Sequence, residues 1–145
     1  MGRWAATRSN TALSTTADFM TLVSLSARRC EVYLVEFAGM GTASAANEVI
    51  VARSSGGTTG GGAITPEPLS GEQAAAAGVV NTTWSAQPTI DDIVMRLGVN
   101  ANGGINRWQT TDPRAMIEIR NAANLSLRSG FGTSAVSGTL QWDEP

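Results

Sequence analysis

The chain has 145 residues, of which 42% are apolar, 6% aromatic and 15% charged, with a net charge of −2. That length supports one domain with a sizeable core. All ten basic residues are arginine, histidine is absent and Cys30 is the single cysteine. This excludes histidine bases, Ser-His and Cys-His pairs, Walker or Schiff-base lysines, an intrachain disulfide and a structural zinc site.

The small negative charge supplies no long-range attraction to nucleic acid or anionic lipid. The first ten residues lack the apolar core of a signal peptide, and no stretch approaches the roughly 20 apolar residues of a membrane span. Composition predicts a soluble protein made in a reducing cytoplasm. It predicts no enzyme activity and no metal or cofactor, and neither nucleic acid nor a membrane as partner.

In chain order, residues 1–18 are rich in Thr, Ser, Ala and Asn without helical or strand period, and read as an extended N-terminal arm. Trp4 is its one strong anchor and docks either on this chain's own core or on a neighbour. Residues 19–25 form a candidate strand. Residues 30–37 form the clearest one, with Cys30, Val32 and Leu34 on one face and Tyr33, Val35 and Phe37 on the other. Two apolar faces predict a central strand covered on both sides. A turn at Gly39 leads to a strand over 47–53, and then to a Gly/Ser/Thr-rich loop over 54–68 whose composition matches a flexible linker.

Residues 70–77 are expected to form one or two helical turns, with Ser70 as N-cap and Glu72 and Gln73 near the positive end. Extended segments follow at 81–88, 93–99 and 104–109, with turns at 100–104 and 112–113. The last third alternates cleanly. Ile117 and Ile119 oppose Met116, Glu118 and Arg120, then Leu125 and Leu127 follow, and residues 136–142 close the chain. About eight strands and at most one short helix predict an all-β antiparallel β-sandwich or jelly roll over 19–145, behind the arm.

Carboxylates are the acid/base groups left. Asp91-Asp92 reads as a solvated or capping pair, because calcium-loop spacing is absent. Glu31, Glu36 and Glu118 lie on strands, and a glycosidase requires two such carboxylates facing each other across a cleft. Gly56–Gly62 has neither a following Lys-Ser/Thr nor a helix directly behind it, so it reads as a flexible loop rather than a phosphate cradle. Arg28-Arg29 fits a salt bridge to a neighbouring strand or chain, and Cys30 a small buried hydrophobe. Trp4, Trp84, Trp108 and Trp142 suit core packing, with sugar stacking as the alternative.

Several motifs occur together and in order. They are residues 29–37, Gly41-Thr-Ala-Ser-Ala-Ala-Asn47, residues 49–53, Thr65-Pro-Glu-Pro-Leu69, Asn81-Thr-Thr-Trp84, Gln87-Pro-Thr89 and Gly138-Thr-Leu-Gln-Trp-Asp-Glu144. In this order the chain resembles the small jelly-roll decoration or cement proteins of tailed bacteriophages. The resemblance implies a structural virion protein on the outer capsid surface that stabilises joints between copies of the major capsid protein. It implies a homo-dimer or homo-trimer and no cofactor. On this reading the arm and the Gly-rich loop contact capsid or neighbour through Arg3, Trp4, Arg8, Gly56, Gly60, Pro66 and Pro68. A head-fibre or tail protein, or a carbohydrate-binding module with glycans as ligands, are the alternatives.

Overall fold

The computed structural model describes residues 2–25, 28–70 and 75–145. Its strands are β1 (Gly2–Ala12), β2 (Asp18–Ser24), β3 (Cys30–Gly39), β4 (Ala46–Ser55), β5 (Thr58–Thr59), β6 (Ala63–Ile64) and β7 (Glu67–Pro68). They continue as β8 (Gly78–Asn81), β9 (Trp84–Ala86), β10 (Thr89–Asn100), β11 (Ile105–Gln109), β12 (Ile117–Ile119), β13 (Asn124–Phe131) and β14 (Ala135–Glu144). A short 3-10 turn at Pro113–Ala115 is capped by the Asp112 side chain, which accepts from the Arg114 amide. Residues 71–74 of the helix expected over 70–77 lie outside the described residues, and residues 70 and 75–77 are not helical.

The strands form two antiparallel sheets. One runs β11-β3-β14-β1-β7, with β12 also paired to β3, and the other runs β10-β4-β13-β2-β8-β6. The long strands β1, β14, β3 and β11/β12 thus face β2, β13, β4 and β10. Among these long strands, β1 to β4 alternate between the sheets, β4 and β10 pair within the second, and β10, β11/β12, β13 and β14 alternate again, the order of a jelly roll. The expected all-β antiparallel sandwich is the fold that forms.

Inward side chains of both sheets share one core. Phe19, Met20 and Leu22 of β2, Val49 and Val51 of β4, and Leu125 and Leu127 of β13 meet Val32, Val35 and Phe37 of β3 and Leu140 and Trp142 of β14. All are at most 2% exposed, and each contributes on the order of 1.5–3 kcal/mol by leaving water. Phe19 and Phe37 meet edge to face with centroids 5.4 Å apart. Gly138 lets them do so, because a Cβ there would sit 2.5 Å from Phe37 and 2.9 Å from Phe19.

Three expectations are corrected. First, β3 does not present two apolar faces. Its register against β14 shifts between Gln141↔Leu34 and Trp142↔Val32, a bulge at Tyr33. The bulge changes phase, so Cys30, Val32, Val35 and Phe37 all enter the core. Glu31, Tyr33 and Glu36 remain half-buried on the outer side, and Leu34, though buried, is not part of that core.

Second, the extended arm expected over 1–18 contains a sheet strand at Gly2–Ala12, with Met1 outside the described residues. β1 pairs with β14 from Gly2↔Glu144 to Ala12↔Ala135, with Trp4 and Ala6 pointing inward at 4% and 3% exposure. Its polar composition belongs to the outward alternates, such as Thr7, whose hydroxyl meets that of Thr139 at 3.0 Å.

Third, the Gly-rich segment is ordered. β7 pairs with β1, β6 with β8, and β5 with β9. Gly57, at φ +86°, lies where a Cβ would come within 2.9 Å of the Trp84 ring. Glycine here serves close approach rather than flexibility.

Deleting residues 2–12 is therefore expected to abolish cooperative thermal unfolding, measured by circular dichroism, because it strips an edge of β14 and removes Trp4 from the core. A truncated protein that melts like the intact chain contradicts the assignment of β1.

Candidate interaction surfaces

Six of the seven residues expected to contact a capsid or neighbour fall into two groups, and all seven make contacts within the chain. Arg3, Trp4, Pro66 and Pro68 come together. Trp4 pairs in register with Pro68, the Arg3 carbonyl accepts from the Leu69 amide at 2.9 Å, and Trp4 and Pro66 line one apolar cavity of about 290 Å³ with Ile64, Ala76 and Val79. The buried Trp4 Nε1 has no hydrogen-bond acceptor among the described residues. The Arg3 guanidinium pairs with Asp143 at 3.2 Å and lies 5.8 Å from the centre of the Tyr33 ring. Gly56 and Gly60 belong to the β5–β9 unit, where the Gly56 carbonyl accepts from Asn124 Nδ2 at 3.2 Å and the Gly60 amide donates to Thr83 at 2.8 Å.

Arg8 lies apart from both groups. Its guanidinium donates to the Phe19 carbonyl and stands 5.3 Å from the centre of the Phe19 ring. Burial lowers its pKa from the ordinary arginine value.

The strand carboxylates are neutralised where they stand. Glu31 sits directly opposite Glu118 in the β3–β12 register, but Arg29 bridges both, at 3.0 and 3.5 Å, and Arg120 also holds Glu118 at 2.6 Å. Arg29 thus makes the expected bridge to a neighbouring strand. Glu36 pairs with Arg107 across β11. No group of three or more candidate metal ligands occurs among the described residues.

Two buried carboxylates lock segments in place. Glu144 accepts from the amides of Ala77 at 2.9 Å and Gly78 at 2.8 Å, and from Trp142 Nε1 at 3.0 Å. Asp18 accepts from Arg128 Nε at 2.7 Å and from the Thr21 hydroxyl at 2.6 Å. Above Thr21, Trp84 Nε1 donates to its hydroxyl at 3.0 Å, so β9 covers the outer side of the second sheet. Trp4 and Trp142 are core residues, while Trp84 and Trp108 are partly buried.

Sequence reasoning missed the opposite end of the sandwich. There the four connections β1–β2, β3–β4, β10–β11 and β13–β14 are tied by backbone hydrogen bonds. Leu13 donates to Ser134 at 3.0 Å, Met40 to Ala135 at 3.0 Å, Gly41 to Ala101 at 2.6 Å and Ala101 to Ala45 at 2.8 Å. Met40, Ile105 and Phe131 project from this end at 49%, 65% and 50% exposure. Residues 9–17, 38–47, 98–106 and 129–137 contain no charged side chain, although the chain has ten arginines and twelve carboxylates. That absence is visible in the sequence, but strand order is needed to gather the four segments onto one surface.

Asp18→Ala is expected to destabilise the fold by about 2–4 kcal/mol in denaturant unfolding, because it leaves the largely buried Arg128 with the Pro88 carbonyl but without its carboxylate. A change below about 1 kcal/mol would show that the pair contributes little. Burial, reinforced by the Glu144 carboxylate, pushes the Cys30 thiol up to about 12. The folded state therefore keeps its proton while an unfolded thiol loses it near pH 8.5, so this contribution to stability is present at neutral pH and declines as pH rises from about 9 towards 12. Native Cys30 should stay inert to a thiol reagent at pH 8 and react on unfolding. Rapid reaction of the folded protein contradicts its burial.

No protein-family model, curated protein or solved structure matches the chain.

Proposed function

We propose that the protein is a structural virion component, a decoration or cement protein that binds the outer surface of a phage head and stabilises joints between major capsid proteins. The strand order carries this reading. A jelly roll is the fold that the ordered motifs from residue 29 to residue 144 imply, and β1, β14, β3 and β11/β12 against β2, β13, β4 and β10 is that order.

The way the chain is closed suits a mechanical role. Its first and last strands pair along their length. The long β4–β10 connection is fixed to both sheets, by β7 on β1 and by β8 on β2, with β6 on β8. Force applied through the surface would thus meet paired strands. A packed genome pushes outward on its shell, and a rigid body across a joint opposes opening through contact area alone. Interfaces of about 1,200–2,000 Å² hold stably, and many copies act together by avidity. Self-association as a homo-dimer or homo-trimer would multiply the sites engaged at each joint.

The experiment is co-sedimentation of the purified full chain with empty heads of the phage that encodes it, after its mass in solution has been determined. A stable dimer or trimer that pellets with heads at a saturating, fixed stoichiometry is expected. A protein that stays in the supernatant at every concentration overturns the reading.

A further inference from the structure

We infer that the charge-free end formed by residues 9–17, 38–47, 98–106 and 129–137 is the surface that docks on the shell, and that its occupant is an uncharged protein surface with apolar hollows for Met40, Ile105 and Phe131. This rests on the proposed function, and it assigns the contact to a part of the molecule other than the N-terminal segment and the Gly-rich loop.

The first ground is charge. Elsewhere the surface carries ion pairs, such as Arg3–Asp143, Arg29–Glu31, Arg107–Glu36 and Arg120–Glu118. At this end four segments, separate in sequence, all lack charge and are bound into one surface, which the Glu48–Arg96 ion pair borders beside Gly130 and Phe131. Interface cores are depleted in charge and enriched in aromatic residues and Met. A charge buried there without a partner is costly, so the matching surface is neutral as well. Each segment is nine or ten residues long, so the four together supply the roughly 20–30 residues a stable interface uses on each side.

The second ground is what the sheet edges offer instead. β10 ends its sheet, but it is bulged twice, between Ile90 and Asp92 and between Ile93 and Met95. It also carries Asp91, Asp92 and Arg96. Bulges and charges are what natural edges use to prevent strand pairing with another chain. At the other edge, β6, β7 and β8 cover parts of β1 and β2.

The third ground concerns a second copy of the chain. The three apolar side chains protrude, and the hollow beside them, about 270 Å³, is lined by Gly98, Asn100, Gly103 and Asn106 as well as Ile105. Glycine and asparagine make a poor receptor for Phe and Met. The same end of another copy is therefore a weaker fit than a partner with apolar hollows.

The test places one charge at each end of the molecule. Ile105→Asp and Phe131→Asp alter the proposed contact, and Leu69→Asp makes the same change at an exposed leucine beside Arg3. Melting temperatures confirm folding, and Met40→Asp serves if either variant melts early. Each variant and the wild type are titrated onto empty heads at 50 and 500 mM NaCl. Expected are at least a tenfold loss of affinity for the end variants, wild-type binding for Leu69→Asp, and a change of less than about threefold with salt, since no charge pairs are screened. Wild-type binding by folded Ile105→Asp and Phe131→Asp overturns the inference while the proposed function stands. A wild-type self-association that Ile105→Asp abolishes, with head binding intact, assigns the end to a second copy and overturns it too. Wild type that ignores heads overturns both.

Discussion

The pairing of the chain's two ends is the constraint on which the remaining structure depends. β1 and β14 run side by side from Gly2↔Glu144 to Ala12↔Ala135, and each contributes a buried tryptophan, Trp4 and Trp142, to the same core. The last residues of β14 then reach beyond their own sheet. The Glu144 carboxylate gathers the Ala77 and Gly78 amides and the Trp142 indole, which sets the start of β8 and so the edge of the second sheet. A carboxylate inside a protein is costly unless its oxygens are hydrogen-bonded, and here three N–H donors meet that requirement. The chain termini thus hold together both layers and the long connection that joins them.

The two ends of the sandwich are built by different means. Around Arg3, Asp143, Glu31 and Glu118, charged side chains pair across neighbouring strands on the outer side of the first sheet. At the other end, backbone hydrogen bonds do the joining, and the side chains are Ala, Gly, Ser, Thr and Asn with three projecting hydrophobes. Surface ion pairs are worth little individually, so the first pattern tolerates water. The second leaves apolar groups in water until something covers them. Leu25 and Leu69 are exposed at the first end as well, so it is the absence of charge that sets the second end apart, and on the proposal above that end makes the contact.

Much of the sandwich was legible in the sequence because its strongest strands are dense in β-branched and aromatic residues. Residues 19–25, 30–37, 47–53 and 136–142 all correspond to strands. β1 was not legible, because its inward positions alternate one large residue, Trp4, with a small one, Ala6, amid Thr, Ser and Asn. Pairing with β14 stabilises that strand, and no local pattern reports such a distant partner. The Gly-rich segment misled for a related reason, since glycines used for close approach to Trp84 look like those of a linker. The bulge at Tyr33 reassigned the faces of β3, and a strict period of two cannot anticipate a bulge. The contact residues expected on the N-terminal segment and the loop make bonds within the chain, although Arg3, Gly56, Gly60 and Pro68 remain exposed, whereas Met40, Ile105 and Phe131 became a group only once strand order was known.

Hydrogen exchange on the free and the head-bound protein tests the account most directly. The account predicts that β1 amides are already protected in the free protein, to the same degree as those of β14. It predicts that binding adds protection chiefly in residues 9–17, 38–47, 98–106 and 129–137. A β1 that exchanges freely in solution and gains protection only on the head would contradict it and restore the N-terminal segment as the capsid-binding arm.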